Sequence, residues 1–306
     1  MARHPDQHTV VVGVDGSAEG AEALRYAVGA AQSRRMWLLV VHAYQLPPHG
    51  PLVVAASLAV AALASAYRVV ADALSQVTIP AGVEVETAVE LTTPLLMLER
   101  LSGRAALVVL GRHTADPSGY ARTRPVSAAV AASSSCPTVI VPPGWSQHRA
   151  SSRSIVVGLD AERSAGVQLA FAFREAERRG WSVTALQALP VGDVSAAQQS
   201  ARSAHLDAVL AEQRREHPAV PVTVAVTLDS VAQVVLDRSR GARLVVVGRP
   251  DALFARAGAW SPAAAKSGLA DLYCPLAVVP DGSGSAGLVD PNGREPGPDV
   301  RRPAAD

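Results

Sequence analysis

The sequence is poor in aromatic residues and carries almost no net charge. Aromatic side chains make up 4% of the 306 residues although hydrophobic residues reach 49%, so the core must be built mainly from Ala, Val and Leu. Such a core suits helices packed on a valine-rich sheet. The formal net charge is +1, from 28 Lys and Arg against 27 Asp and Glu. This balance gives no field that would draw the chain to nucleic acid or to an anionic membrane, and neither partner is expected.

Cysteine is also scarce, and a secretory leader is not evident. Cys136 and Cys274 each precede a proline and an apolar run, which predicts two small buried side chains rather than a disulfide. Residues 1–8 are polar and lack the apolar segment of a signal peptide. Residues 46–67 carry no formal charge, but they open with prolines and continue mostly with alanine. We therefore predict a loop followed by a buried or interface helix, not a membrane span, in a cytoplasmic protein.

Three landmarks occur twice in the same order. The apolar run 10–14 precedes Asp15, and the run 155–159 precedes Asp160, 145 residues later. A valine-rich run ends at Gly111 and another at Gly248, 137 residues apart, and the two Cys-Pro pairs lie 138 residues apart. Recurrence at a nearly constant spacing predicts a tandem repeat of one domain.

Strand-like and helix-like segments alternate through both copies, which predicts an α/β fold with parallel sheets. Strands are predicted at 10–14, 37–42, 83–89, 106–110 and 138–141, and then at 154–159, 181–186, 222–226, 244–247 and 276–279. We expect domains at 8–142 and 153–280, a polar linker at 143–152 and a disordered tail at 281–306.

These landmarks resemble the universal stress protein family in its tandem two-domain form. The resemblance rests on the first strand with Asp15-Gly16-Ser17, the strand end 40–43, the run 107–111, Val126-Ser127 and Cys136-Pro137. It implies two Rossmann-like (adenine nucleotide alpha hydrolase-like) domains, each a five-stranded parallel sheet flanked by helices, which pack through their final strands. It also implies a stress-linked regulatory role without catalysis.

The resemblance further implies an ATP site, with Mg, in the first domain. Asp15 would lie near the adenine or ribose, Ala43 near the adenine, and Gly111 would open a phosphate loop that ends at Val126 and Ser127. The implied site residues are Asp15, Ala43, Gly111, Arg112, His113, Arg124, Val126 and Ser127.

The phosphate loop departs from the family pattern. Thr114 stands where the second glycine belongs, and Arg124-Pro125 replaces the later Gly-Ser pair. Glycines allow close approach of backbone N–H groups to phosphate. The first loop instead offers the side chains of Arg112, His113, Arg122 and Arg124, which can bind phosphate. In the second copy, Asp251 puts a negative charge at the corresponding place.

Three alternatives remain open from the residues. The chain is an adenine-nucleotide sensor that uses its first domain, an interaction module that presents the alanine-rich helix to a protein partner or to itself, or a weak ATP hydrolase. Asp15 can equally be a helix N-cap. The sequence shows neither a catalytic triad nor a metal-ligand spacing among its eight histidines, so an enzyme is not expected.

Overall fold

The structure is a computed structural model that describes residues 6–46, 52–112, 125–146, 152–159, 165–188, 196–227, 231–249 and 272–280. Within these ranges, ten strands alternate with seven helices. The first half contains β1 Thr9–Gly13, α1 Ala18–Arg34, β2 Trp37–Tyr44, α2 Leu52–Ser75, β3 Val85–Leu91, α3 Pro94–Ser102, β4 Leu107–Gly111, α4 Val126–Ser133 and β5 Thr138–Val141. The second contains β6 Ser154–Leu159, α5 Gly166–Arg179, β7 Ser182–Ala188, α6 Ala196–Glu216, β8 Val222–Thr227, α7 Val231–Ser239, β9 Leu244–Gly248 and β10 Leu276–Val279.

All ten strands belong to one sheet, in the order β3-β2-β1-β4-β5-β10-β9-β6-β7-β8. The five strands of each half pair in parallel, so the prediction of two five-stranded parallel units is confirmed. The halves join where β10 runs antiparallel to β5, with Ala277 opposite Val139. This is the junction through final strands that the resemblance to the universal stress protein family implies.

Alternating residues of the central strands separate the core into two faces. Val10 and Val12 of β1 pack with α1 and α2, in a cluster that continues to α5 and α6 of the second half. Val11, between them, packs on the opposite face with α3 and α4. Both faces of a parallel sheet are therefore covered, as its backbone requires, which explains the uninterrupted apolar runs in the sequence.

A buried charge cluster joins α1 to α5. The side chain of Glu175 is 0% exposed and lies 2.7 Å from Arg34, whose side chain is 4% exposed. Glu175 also lies 3.5 Å from Arg179, whose guanidinium covers the rings of Tyr26 and Trp181. Because one carboxylate from the second half neutralises a buried arginine from the first, separation of the halves would leave that arginine without its charged partner.

The cysteines and part of the linker are described by the structure, whereas the tail is not. Cys136 and Cys274 are free and buried, as predicted. The first part of the predicted linker packs on α1, where Trp145 contacts Tyr26 edge to face. Residues 147–151 of that linker and the tail 281–306 lie outside the described residues.

Candidate functional site

The first half of the sheet reverses its strand order at β1. The chain passes from β1 to β2 on one side and later returns to β4 on the other. In open α/β sheets, ligands bind outside the carboxyl ends of the strands at such a switch point. Asp15 follows β1, Ala43 lies near the end of β2, and Gly111 ends β4, so three of the predicted site residues occupy this edge together.

Asp15 shapes the turn between β1 and α1. Its Oδ1 accepts a hydrogen bond from the backbone N–H of Ser17 at 3.0 Å and another from the Ser17 hydroxyl. Ser17 itself caps α1, since its Oγ accepts from the Gly20 N–H at 3.0 Å. The alternative that Asp15 is the N-cap is therefore wrong. The intervening Gly16 has a φ of 84°, which lets the chain turn and bring the acceptor and donor together.

His42 and Ala43 lie on the neighbouring strand. The Nδ1 of His42 lies 2.7 Å from the carbonyl oxygen of Val14, which ties the end of β2 to the start of the Asp15 turn. Ala43 is half-buried beside the edge strand, opposite Glu90.

Gly111 allows the first turn of α1 to approach β4. A Cβ atom at this position would lie 2.5 Å from the carbonyl oxygen of Glu19 and 2.6 Å from its carbonyl carbon. Both are backbone atoms that cannot rotate away. Sequence reasoning assigned this glycine to phosphate binding and missed Glu19, because nothing in the local sequence shows that a helix end packs there.

Arg112 makes a contact that the sequence did not reveal. Its Nη1 donates to the carbonyl oxygen of Leu272 in the second half at 3.1 Å. Arg249, the equivalent residue of the second copy, donates in turn to the carbonyl of Ser134 in the first half. Leu272 and Ser134 each stand two residues before a Cys-Pro pair. The two arginines therefore form a reciprocal clamp across the junction of the halves.

Val126 and Ser127 open α4, at the same edge of the sheet. Val126 is 41% exposed and Ser127 is buried. Pro125 occupies the N-cap position and, having no hydrogen-bonding side chain, cannot cap the helix itself. The N–H groups of a first helical turn attract anions.

The middle of the predicted phosphate loop, residues 113–124, lies outside the described residues. His113, Arg124, Thr114 and Arg122 lie outside the described residues, so their predicted roles stay predictions. The same holds for Asp160, Asp251 and the loop that would form a second site. Within the described ranges, no group of three or more His, Cys, Asp or Glu residues could hold a metal ion.

The cysteines do not belong to this site. Burial raises the pKa of the Cys136 thiol to about 11 and that of Cys274 to about 12. Both thiols are therefore protonated at neutral pH and unsuited to nucleophilic or redox chemistry.

Comparison with known proteins gives one consistent result. The model of the universal stress protein family matches residues 7–142. One universal stress protein of Mycobacterium tuberculosis is 29% identical over 267 residues, covering 81% of this chain and 89% of that protein. Another is 31% identical over 248 residues, covering 79% and 86%.

The fold agrees with a solved structure. A universal stress protein from Archaeoglobus fulgidus superimposes with a TM-score of 0.63 at 15% identity, covering 90% of this chain and 97% of that one. At this level of identity the superposition shows the fold alone, whereas the sequence matches show membership of the family. The chain belongs to the universal stress protein family.

Proposed function

We propose that the first half of the chain binds an adenine nucleotide at the carboxyl ends of β1, β2 and β4, and that the protein is a stress-linked ligand sensor rather than a catalyst. The observation that carries this proposal is the convergence of the Asp15 turn, Ala43, Gly111 and the uncapped start of α4 at one switch point. Ala43 and Gly111 are small enough to allow a planar adenine to approach, and the Asp15 carboxylate and the first turn of α4 offer polar groups to the ribose and the phosphates.

Asp15 is suited to bind the ribose. Its two described hydrogen bonds both use Oδ1, and the residue is exposed. Oδ2 is thus free to accept a hydrogen bond from a ribose hydroxyl, which is the role of the acidic residue in many nucleotide sites. Ala43 would lie against the adenine, where a larger side chain would fill the space.

The phosphates would lie over the first turn of α4. The N–H groups of this turn and the Ser127 hydroxyl are described groups that can bind an anion. The sequence adds His113 and Arg124 as predicted phosphate-binding residues. Arg112 contributes less, because its guanidinium is bound to Leu272. Mg would be held mainly by phosphate oxygens and water.

Calorimetry with MgATP on the full chain tests the proposal. Wild-type protein should bind with a saturable micromolar affinity. Asp15→Asn keeps the acceptor for Ser17 but removes the charge, and should weaken binding by about tenfold, as expected for loss of a charged hydrogen-bond partner. The exposed Asp207 on α6 supplies the control, because Asp207→Asn should leave binding unchanged.

If MgATP gives no binding heat with wild-type protein, and acid extraction of the purified protein releases no nucleotide, the proposal of a nucleotide sensor is wrong. Equal binding by wild type and Asp15→Asn would refute the assigned site. The rival function is a module for protein interaction. Two observations favour this rival: Arg112 is held by the junction of the halves, and α2 exposes large apolar side chains.

A further inference from the structure

The buried charge cluster between α1 and α5 carries more positive charge than negative charge. The carboxylate of Glu175 lies 2.7 Å from Arg34, 2.9 Å from Arg178 and 3.5 Å from Arg179. The side chain of Arg178 is 36% exposed and reaches solvent, whereas that of Arg34 is 4% exposed and that of Arg179 is 11% exposed. Two enclosed guanidinium groups therefore share one carboxylate, and one positive charge has no counter-charge among the described residues.

The same guanidinium groups have hydrogen-bond donors without acceptors. Arg34 Nη1 and the Nε and Nη2 atoms of Arg179 are buried, and none of them forms a hydrogen bond within the described part of the chain. A small shift that closes the 3.5 Å gap to Glu175 would satisfy Arg179 Nε. Arg34 Nη1 and Arg179 Nη2 would still lack acceptors. Because an unpaired buried donor on a charged group is costly, the cluster requires a further acceptor.

Proton transfer and the helix ends do not remove this excess charge. Burial lowers the pKa of Arg34 and Glu175 only partly offsets this effect, but a guanidinium keeps its proton at neutral pH. Burial also raises the pKa of Tyr26, whose ring lies beneath Arg179, so this hydroxyl stays neutral. The carbonyl groups that end α1 and α5 offset part of the positive charge, yet they accept no hydrogen bond from Arg34 Nη1 or Arg179 Nη2.

The repeat shows where the second carboxylate of a symmetric arrangement would come from. Arg34 and Arg179 are equivalent residues, since each is the last residue of its helix, precedes a left-handed C-cap and lies 145 residues from the other. The same spacing makes Ala30 the equivalent of Glu175, and Ala30 is 0% exposed. The two halves meet through antiparallel equivalent strands. This approximate twofold arrangement therefore provides two buried arginines and only one buried glutamate.

We propose that a monovalent inorganic anion of the chloride class binds between the two halves, at the guanidinium groups of Arg34 and Arg179 and beside the turn of α1 that contains Ala30. One such ion balances the excess charge and accepts hydrogen bonds from the donors that lack acceptors. A water molecule would accept the same bonds but would leave the charge, and a divalent anion would overcompensate it. The ion links α1 to α5 and so stabilises the contact between the halves.

This anion site is remote from the proposed nucleotide site. The Asp15 turn precedes the first residue of α1, whereas Arg34 is the last residue of that helix. A helix of 17 residues is about 25 Å long, so the two sites lie near opposite ends of the strands. The anion proposal is therefore independent of nucleotide binding, and MgATP should not displace the anion.

Thermal unfolding of the full chain tests the proposal. Sodium gluconate is replaced stepwise by sodium chloride at constant ionic strength, since gluconate is too large to bind among buried side chains. Chloride up to about 200 mM should raise the unfolding midpoint by about 4 °C in a saturable manner, as expected for a ligand of millimolar affinity that binds only the folded chain. Bromide should act in the same way.

Variants of Arg179 separate a bound ion from a general salt effect. Arg179→Gln leaves Arg34 balanced by Glu175 and should abolish the chloride-dependent rise, whatever its midpoint in gluconate. Arg179→Lys keeps the charge and should retain most of the rise. The matched control is Arg174→Gln at an exposed position of the same helix, which should respond to chloride as wild type does.

Chloride nuclear magnetic resonance gives a measurement that does not depend on stability. Exchange with a protein site broadens the resonance of free chloride, so wild-type protein should broaden it more than Arg179→Gln at equal concentration. Added bromide should reverse the broadening by competition, whereas MgATP should leave it unchanged.

Three results would overturn the proposal. Chloride and gluconate give equal midpoints, and wild type broadens the chloride resonance no more than Arg179→Gln does. The folded Arg179→Gln variant keeps the full chloride-dependent rise, which would place the ion elsewhere. MgATP abolishes the broadening, which would place the ion in the nucleotide site.

Discussion

The substitution Gly111→Ala adds one methyl group at a place where the backbone of α1 leaves no room. The new Cβ would lie 2.5 Å from the Glu19 carbonyl oxygen, about 1 Å inside ordinary van der Waals contact. Either β4 or the first turn of α1 must move. Overpacking of this kind costs about 3 kcal/mol, at the upper end of the usual range, because no side-chain rotation relieves it.

Gly248→Ala provides the matched comparison. Gly248 ends β9 as Gly111 ends β4, but a Cβ there meets the end of the Gln168 side chain. That amide can turn aside, so the cost should fall to about 1 kcal/mol. The two glycines have nearly identical sequence contexts, LVVLGR and LVVVGR, and only the structure shows that their surroundings differ.

Thermal or urea unfolding of the ligand-free variants measures the difference. A gap of about 2 kcal/mol corresponds to about 4–8 °C in the midpoint for a unit of 150–250 residues, with Gly111→Ala the less stable. Equal midpoints, or a larger loss for Gly248→Ala, would refute the packing argument. If Gly111→Ala lowers nucleotide affinity without lowering the midpoint, the glycine serves the ligand instead.

Further predictions concern the contact between the two halves, the buried thiols and the turn between β1 and α1. Glu175→Gln should lower the free energy of unfolding by about 3 kcal/mol in urea, because the buried Arg34 of α1 loses its charged partner. The control is Glu177→Gln at an exposed position of the same helix, which should leave the unfolding midpoint unchanged. Burial raises the pKa of both Cys136 and Cys274 above the ordinary 9.0. As pH rises, the thiols of the unfolded chain therefore lose their protons before those of the folded chain. The free energy of unfolding should fall as pH rises above 9. Rapid thiol labelling of native protein at pH 8 would contradict their burial. Gly16→Ala, at a φ of 84°, should cost about 1 kcal/mol in thermal unfolding.

Much of the fold follows from local sequence signals. Valine-rich runs that end in glycine fix β1, β4, β6 and β9 because a strand buried on both faces tolerates little else. The predicted bounds of β5, β6 and β10 coincide with those in the structure. Residues 83–89 were less well placed, since β3 spans Val85–Leu91. This strand lies at the edge of the sheet, where a weaker apolar pattern leaves the start of the strand poorly defined.

The candidate site follows from the sequence only in part. The sequence nominates Asp15 and Gly111, but the capping role of Ser17 and the packing of Glu19 on Gly111 depend on how α1 is oriented. The bond from Arg112 to Leu272 spans 160 residues, and no local pattern encodes it. The exposure of Tyr67 likewise required the structure, because an alanine-rich helix is equally compatible with burial.

Residue-resolved nuclear magnetic resonance during titration with MgATP tests the central claim most directly. The account predicts saturable shifts at the amides of Gly16, Ala43 and Gly111 in the first half, with much smaller changes at Gly158 and Gly248. No saturable shift anywhere, or shifts concentrated in the second half, would contradict an adenine-nucleotide site at the carboxyl ends of β1, β2 and β4.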